Sequence, residues 1–180
     1  MKMRKLLLML CCLFFVVSGA HAKGKGRPKV VYNKVQDQTE VSAPVEWLKK
    51  NKFGYDAGYV YPGQTPKRPQ WVAMRFIYVR LLSAGDSVRW NRVSTIYFRH
   101  GDTKLSYPVN YDVRDNNSTL TKGLFGNVVT ETVTCVIPTD DFIPLSQASE
   151  VLFQIGDTSS KIDGGNITTL AALGNSIPAQ

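Results

Sequence analysis

Histidine and cysteine are scarce in this chain, with two and three residues among 180. His21, Cys11 and Cys12 all fall within the first 22 residues, so the rest keeps only His100 and Cys135. A single cysteine cannot close an internal disulfide, which excludes a disulfide scaffold for residues 23–180. One histidine and one cysteine cannot build a structural zinc site without carboxylates from elsewhere. Asp112, Asp115, Asn116 and Asn117 form an oxygen-rich stretch, but without the spacing of a calcium loop. A phosphate-cradling glycine motif and a Gly-x-Ser-x-Gly elbow are also missing, and no cofactor is implied. A Cys135–His100 nucleophile pair fares poorly. Cys135 shares a strand face with Val133 and Ile137, the setting of a buried, inert thiol, and a hairpin tip accounts for His100.

Long apolar runs are equally few. Leu6 to Val17 is short for a membrane span. Lys2, Arg4 and Lys5 precede it, and Ser18-Gly19-Ala20-His21-Ala22 follows with a small-x-small pattern. These parts predict a secretory signal peptide cleaved after Ala22, and hence a periplasmic or secreted protein with no transmembrane helix once the leader is gone. Losing Lys2, Arg4 and Lys5 lowers the net charge from +8 to about +5. Much of the remainder sits in Lys23–Lys29, KGKGRPK, which reads as a flexible basic arm. An envelope protein or an anionic polymer is the kind of partner such an arm suits. It carries no interleaved aromatic, so there is no specific nucleic-acid signal.

What the chain does have is alternation. Trp71–Leu82, WVAMRFIYVRLL, is rich in β-branched and aromatic residues and flanked by loop residues. Both its faces are mostly apolar, which predicts a central strand covered on both sides. Val30–Tyr32, Thr39–Ala43, Phe53–Tyr61, the end of Val88–Arg99, Leu105–Val113, Asn127–Ile137 and Val151–Ile155 also read as strands. Pro108 places its strand at an edge or a bulge. Pro44–Lys50 reads as a helical turn with Trp47 and Leu48 inward. Asp140 or Asp141 would cap a helix over Phe142–Ala148, with Pro144 in its first turn. Asn166 would cap a second, ended by Gly174. The fold class is mainly β: an antiparallel β-sandwich or rolled sheet of seven to eight strands, with a short helix near 142–148 and a C-terminal helix near 167–173. One β-rich domain would span 30–176, after the leader (1–22) and arm (23–29) and before a tail (177–180).

Two candidate ligand surfaces emerge. Tyr55, Tyr59 and Tyr61 alternate along one face of a strand, and tyrosine offers a flat apolar ring with a polar tip. Arg89, Trp90 and Arg92, near Tyr97 and Arg99, form a basic-aromatic patch. Among the acids, Glu131 interrupts an apolar face and could pair with an arginine such as Arg75, which also interrupts one. Adjacent Asp140 and Asp141 are explained by capping. With no catalytic constellation in the sequence, the balance falls against an enzyme. The reading is an exported, non-catalytic binding or scaffolding domain. Its rivals are a small cell-envelope hydrolase using acidic residues and an envelope-associated protein held electrostatically by its basic arm.

Overall fold

Pro108 marks the corner of this fold. In the computed structural model, which describes residues 26–48, 53–82, 89–115 and 127–179, the strand β7 (Thr103–Asp115) serves two sheets. Its first half, through Pro108, pairs with β6 (Thr95–His100); its second half, from Val109, pairs with β8 (Asn127–Pro138). Each half carries its ladder on one side only, and proline, which has no N–H to donate, stands where the pairing changes over. The predicted edge position is therefore a corner between sheets.

One sheet runs β1 (Lys29–Asn33), β2 (Gln38–Ser42), β4 (Phe53–Pro62), β5 (Trp71–Leu82), β8 and β7, with β3 (Glu46–Leu48) also on β4. The other runs β7, β6, β9 (Glu150–Ile155) and β10 (Thr158–Asp163). Every pairing is antiparallel. The meander β6–β7–β8 has β9 returning beside β6, a Greek-key order. In a flat sheet β5 and β9 would stand about 19 Å apart, four strand spacings. Instead the Phe76 and Phe153 rings meet at 4.7 Å, so the sheets fold face to face. The mainly β, antiparallel architecture agrees with the sequence reading, with ten strands instead of seven to eight.

The core lies between the sheets. Val72, Met74 and Phe76 of β5, Val133, Cys135 and Ile137 of β8, Ile96 and Phe98 of β6, and Val151, Phe153 and Ile155 of β9 are all buried. Each such side chain contributes about 1.5–3 kcal/mol on leaving water. The opposite face of β5 is not covered as the composition predicts: Trp71 is exposed and Arg75, Ile77 and Val79 are partly so.

Two helices close the ends. The helix α1 (Thr139–Gln147) starts three residues before its predicted start and has Pro138 at its N-cap. Neither aspartate caps it. Asp140 pairs with Arg68 at 2.6 Å, and Asp141 accepts a hydrogen bond from the Tyr107 hydroxyl at 2.9 Å. Pro144 lies beyond the first turn, on an exposed side of this short helix. The helix α2 (Gly164–Asn175) buries Leu170 and Leu173. Gly174 does not end it. A β-carbon there would sit 2.1 Å from Ser146 Oγ, so the glycine lets α2 approach α1. Ile177, assigned to the tail by sequence, packs into the core.

Pro44–Lys50 is also corrected. Glu46–Leu48 is the strand β3, and alternation turns Leu48 inward while Trp47 faces out. The predicted leader and the first three residues of the predicted arm lie outside the described residues, as do residues 83–88 and 116–126.

Candidate functional site

The tyrosine stripe of β4 faces inward. Tyr55, Tyr59 and Tyr61 are all buried, and two of the hydroxyls are spent on the C-terminal segment: Tyr55 donates to the Asn166 carbonyl at 2.6 Å and Tyr59 to the Ser176 carbonyl at 3.0 Å. Burial is the main cause that raises both phenol pKa values. The stripe is the seat of α2, not an open platform.

The basic-aromatic patch also comes apart. Trp90 is fully buried, stacked on Phe53 at 5.3 Å and tilted against Tyr78 at 5.7 Å. Arg89 stays on the surface, 3.3 Å from Asp157, whose carboxyl pKa it lowers, and Arg92 is exposed. The two arginines remain outside while the tryptophan between them enters the core.

Trp90 reports instead on Glu131. Its backbone N–H donates to Glu131 Oε1 at 2.9 Å, the Tyr111 hydroxyl donates to the same oxygen at 3.2 Å, and Arg80 Nε stands 3.6 Å from Oε2. Glu131 is wholly inaccessible. Its partner is Arg80, not Arg75, because Tyr78 lies opposite Glu131, which puts Arg80 on the core face and Arg75 on the outer one. A carboxylate held this way by three groups is a structural anchor for the start of the Trp90 turn.

Cys135 is buried, its Sγ 3.6 Å from the Met74 carbonyl, and burial pushes the thiol pKa up to about 12. His100 closes the β6–β7 hairpin, pairing with Thr103 across the Gly101-Asp102 turn. Among the described residues no three His, Cys, Asp or Glu side chains converge as a metal site would need, and no helix is long and apolar enough to cross a membrane.

The outer face of β4 carries a second charged group, centred on the buried carboxylate of Asp56. Alternation puts Gly54, Asp56 and Gly58 on that face, so Asp56 is the one side chain β4 projects between Phe53 and Tyr59. Arg75 lies directly opposite on β5 and grips both carboxylate oxygens, with Nε 3.0 Å from Oδ1 and 3.2 Å from Oδ2. Burial nonetheless raises the Asp56 pKa, with Arg75 opposing. Glu40, on β2, feels Lys29, Arg75 and Asp56, and its pKa is also raised, chiefly by burial.

Two tryptophans frame this polar centre. Trp47 pairs with Gly54, and Gly54 with Ile77, so all three share the outer face; Trp71 lies six residues from Ile77 on the same face of β5. The indoles are 49% and 40% exposed, and the register sets them about 20 Å apart. Sequence reasoning missed both, Trp47 because its strand reads as a helical turn and Trp71 because both faces of β5 read as covered. Trp-x-x-x-Arg in β5 opposite Gly-x-Asp-x-Gly in β4 was the available signal. Compared with protein-family models, with curated proteins and with solved structures, the chain matches none.

Proposed function

We propose that this is an exported, non-catalytic binding domain whose outer β3–β4–β5 face takes a polysaccharide chain. The observation that carries the reading is the pair of exposed tryptophans, Trp47 and Trp71, on one sheet face about 20 Å apart with the Arg75–Asp56 pair between them. Indole faces stack on the apolar faces of sugar rings, and the partly exposed Arg75 guanidinium, fixed by the buried Asp56 carboxylate, suits the oxygens of sugar hydroxyls. A long, narrow strip with polar chemistry at its middle fits a single extended chain better than a protein partner, whose contacts spread over about 800 Å² on each side. Glu40 and Asp56 are balanced locally by Arg75 and Lys29, which favours an uncharged glycan over the anionic polymer that the basic composition suggests. The signal-peptide pattern at residues 1–22 supports export to the periplasm or beyond. A hydrolase would use Glu40 and Asp56, and Asp56 has both oxygens engaged by Arg75.

Co-sedimentation of the protein with insoluble chitin, cellulose and purified peptidoglycan tests the reading. Retention on at least one, lost roughly tenfold or more in Trp47→Ala and in Trp71→Ala but kept in Arg92→Ala, is the expected pattern. Near-ultraviolet circular dichroism checks that each variant is folded. Retention on none, or equal retention by both tryptophan variants, would sink the idea.

A further inference from the structure

The strand order ends at β1, whose far side pairs with nothing among the described residues. Apolar side chains stand open on both faces of this edge. Val30, opposite the buried Val41, is 62% exposed, and Val31, opposite Glu40 on the outer face, is 40% exposed. Proteins blunt their sheet edges with charge, proline or a bulge, because an open edge is a template for another strand. Between Lys29 and Asn33 the single charge is Lys29 itself, and the pairing with β2 runs without a bulge. At the other end of the order, β10 shows the usual protection, with Ser159 and Lys161 exposed.

The register decides which backbone groups β1 offers. Ala43 N–H donates to the Ala57 carbonyl at 2.8 Å, and Gly63 N–H to the Asp37 carbonyl at 2.8 Å, so the odd-numbered residues of β2 bond to β4. Residues of an antiparallel strand bond alternately to one side and the other. Gln38, Glu40 and Ser42 therefore bond to β1, at Asn33, Val31 and Lys29. The N–H and C=O groups of Val30 and Tyr32 are left pointing outward.

That edge is complementary to itself. A two-fold axis through Val31 sets Val30 against Tyr32 of a second copy, and Tyr32 against its Val30, each pair exchanging both hydrogen bonds. Lys29 then faces Asn33, so no like charges meet, and an aromatic ring faces a β-branched side chain. Other registers are poorer. An axis through Val30 puts Tyr32 against Pro28, which has no N–H to donate. An axis through Tyr32 puts Val30 against Lys34, which belongs to the turn.

We propose that the protein pairs with a second copy of itself through β1, antiparallel, with Val31 on the two-fold axis. Residues that face each other across antiparallel strands lie on the same side of the sheet. The outer faces of the two copies are therefore continuous, and the exposed Trp47 and Trp71 of both look the same way. The pairing stands without the glycan reading; with it, the dimer grips one polysaccharide surface at two places.

Disulfide capture and sedimentation velocity test this. Val31→Cys should cross-link to itself under mild oxidation, because a pair on the axis that shares no hydrogen bonds brings its β-carbons close. Lys29→Cys and Asn33→Cys should each fail alone but cross-link when mixed. The parent should sediment as a concentration-dependent dimer. Val30→Pro removes an outward N–H and leaves the bonds to β2 in place, so it should be monomeric with an unchanged far-ultraviolet circular dichroism spectrum. A dimer that survives Val30→Pro would overturn the proposal, as would equal cross-linking at all three cysteine positions. A parent that stays monomeric up to millimolar concentration would leave the edge to a different chain and overturn it too.

Discussion

The indole of Trp47 covers Gly54 on the neighbouring strand, so that a β-carbon there would sit 3.2 Å from Cε3 and Cζ3 of the ring. Glycine at this position is what lets the tryptophan lie against the sheet. Gly54→Ala should lift the ring, shift the tryptophan emission to the red, and cost about 1 kcal/mol of stability. It should also weaken retention on polysaccharide without touching either tryptophan. Unchanged emission would mean that the ring does not rest there in solution.

Glu40 gives a pH dependence of unusual sign. Its carboxyl pKa is raised above the ordinary 4.5, with burial the largest cause and Lys29 and Arg75 opposing it. The folded state thus holds this proton more tightly than the unfolded chain. The resulting stabilisation is complete below the ordinary value and is lost as pH rises through the folded-state value. Urea midpoints measured between pH 4 and pH 7 should show Glu40→Gln losing less stability than the parent as pH rises above the ordinary carboxyl value. Parallel profiles would remove Glu40 from the account.

Glu131 anchors three groups, and its removal should expose that. Glu131→Leu takes the acceptor from the Trp90 amide and the Tyr111 hydroxyl and the nearby carboxylate from Arg80, at a cost of about 3 kcal/mol in urea unfolding. Replacing the arginine as well, with Arg80→Met, should return part of the loss, because an apolar pair needs no counter-charge. The hydroxyl of Tyr111, raised to about 12 by burial first and Glu131 second, should titrate closer to its ordinary value in Glu131→Leu. A single variant as stable as the parent would show that the buried carboxylate contributes nothing.

Cys135 should be silent while the protein is folded. With the thiol pushed up to about 12 by burial, almost no thiolate exists at pH 8. Labelling with iodoacetamide and mapping of the Cys135 peptide should find it unmodified in buffer and fully modified in denaturing urea. Rapid labelling of the native protein would contradict its place beside Met74.

The strands with strong alternation were legible. Trp71–Leu82 has the bounds its composition predicts, and Asn127–Pro138 differs from its predicted strand by one residue. Both are long runs of β-branched and aromatic residues, where local preference and burial agree. Thr158–Asp163 was not legible. Its Ser-Ser-Lys has weak strand preference, and it exists because β9 and the Gly156 turn present it with a partner. Glu46–Leu48 was hidden by the proline before it and the bulky pair within it.

Alternation also has a limit that the candidate site shows. It sorts residues onto two faces but does not say which face turns inward. Tyr55, Tyr59 and Tyr61 were recognised as one face of β4, and the ligand surface was placed on them. Packing under α2 took that face, leaving the glycine-bearing side outside between two tryptophans. Glu131 shows the same limit across strands. Its arginine could be named only once the pairing of β5 with β8 was known, because Arg75 and Arg80 have opposite parity.

The corner at Pro108 bears on how the protein comes apart. A sandwich whose sheets are separate ladders can lose one and keep the other. Here a single strand supplies the edge of both, and Ser94 accepts a hydrogen bond from Val109 at the changeover. Opening either sheet therefore pulls on the strand that terminates its neighbour. The domain should melt in one calorimetric transition, its measured enthalpy matching the van't Hoff value.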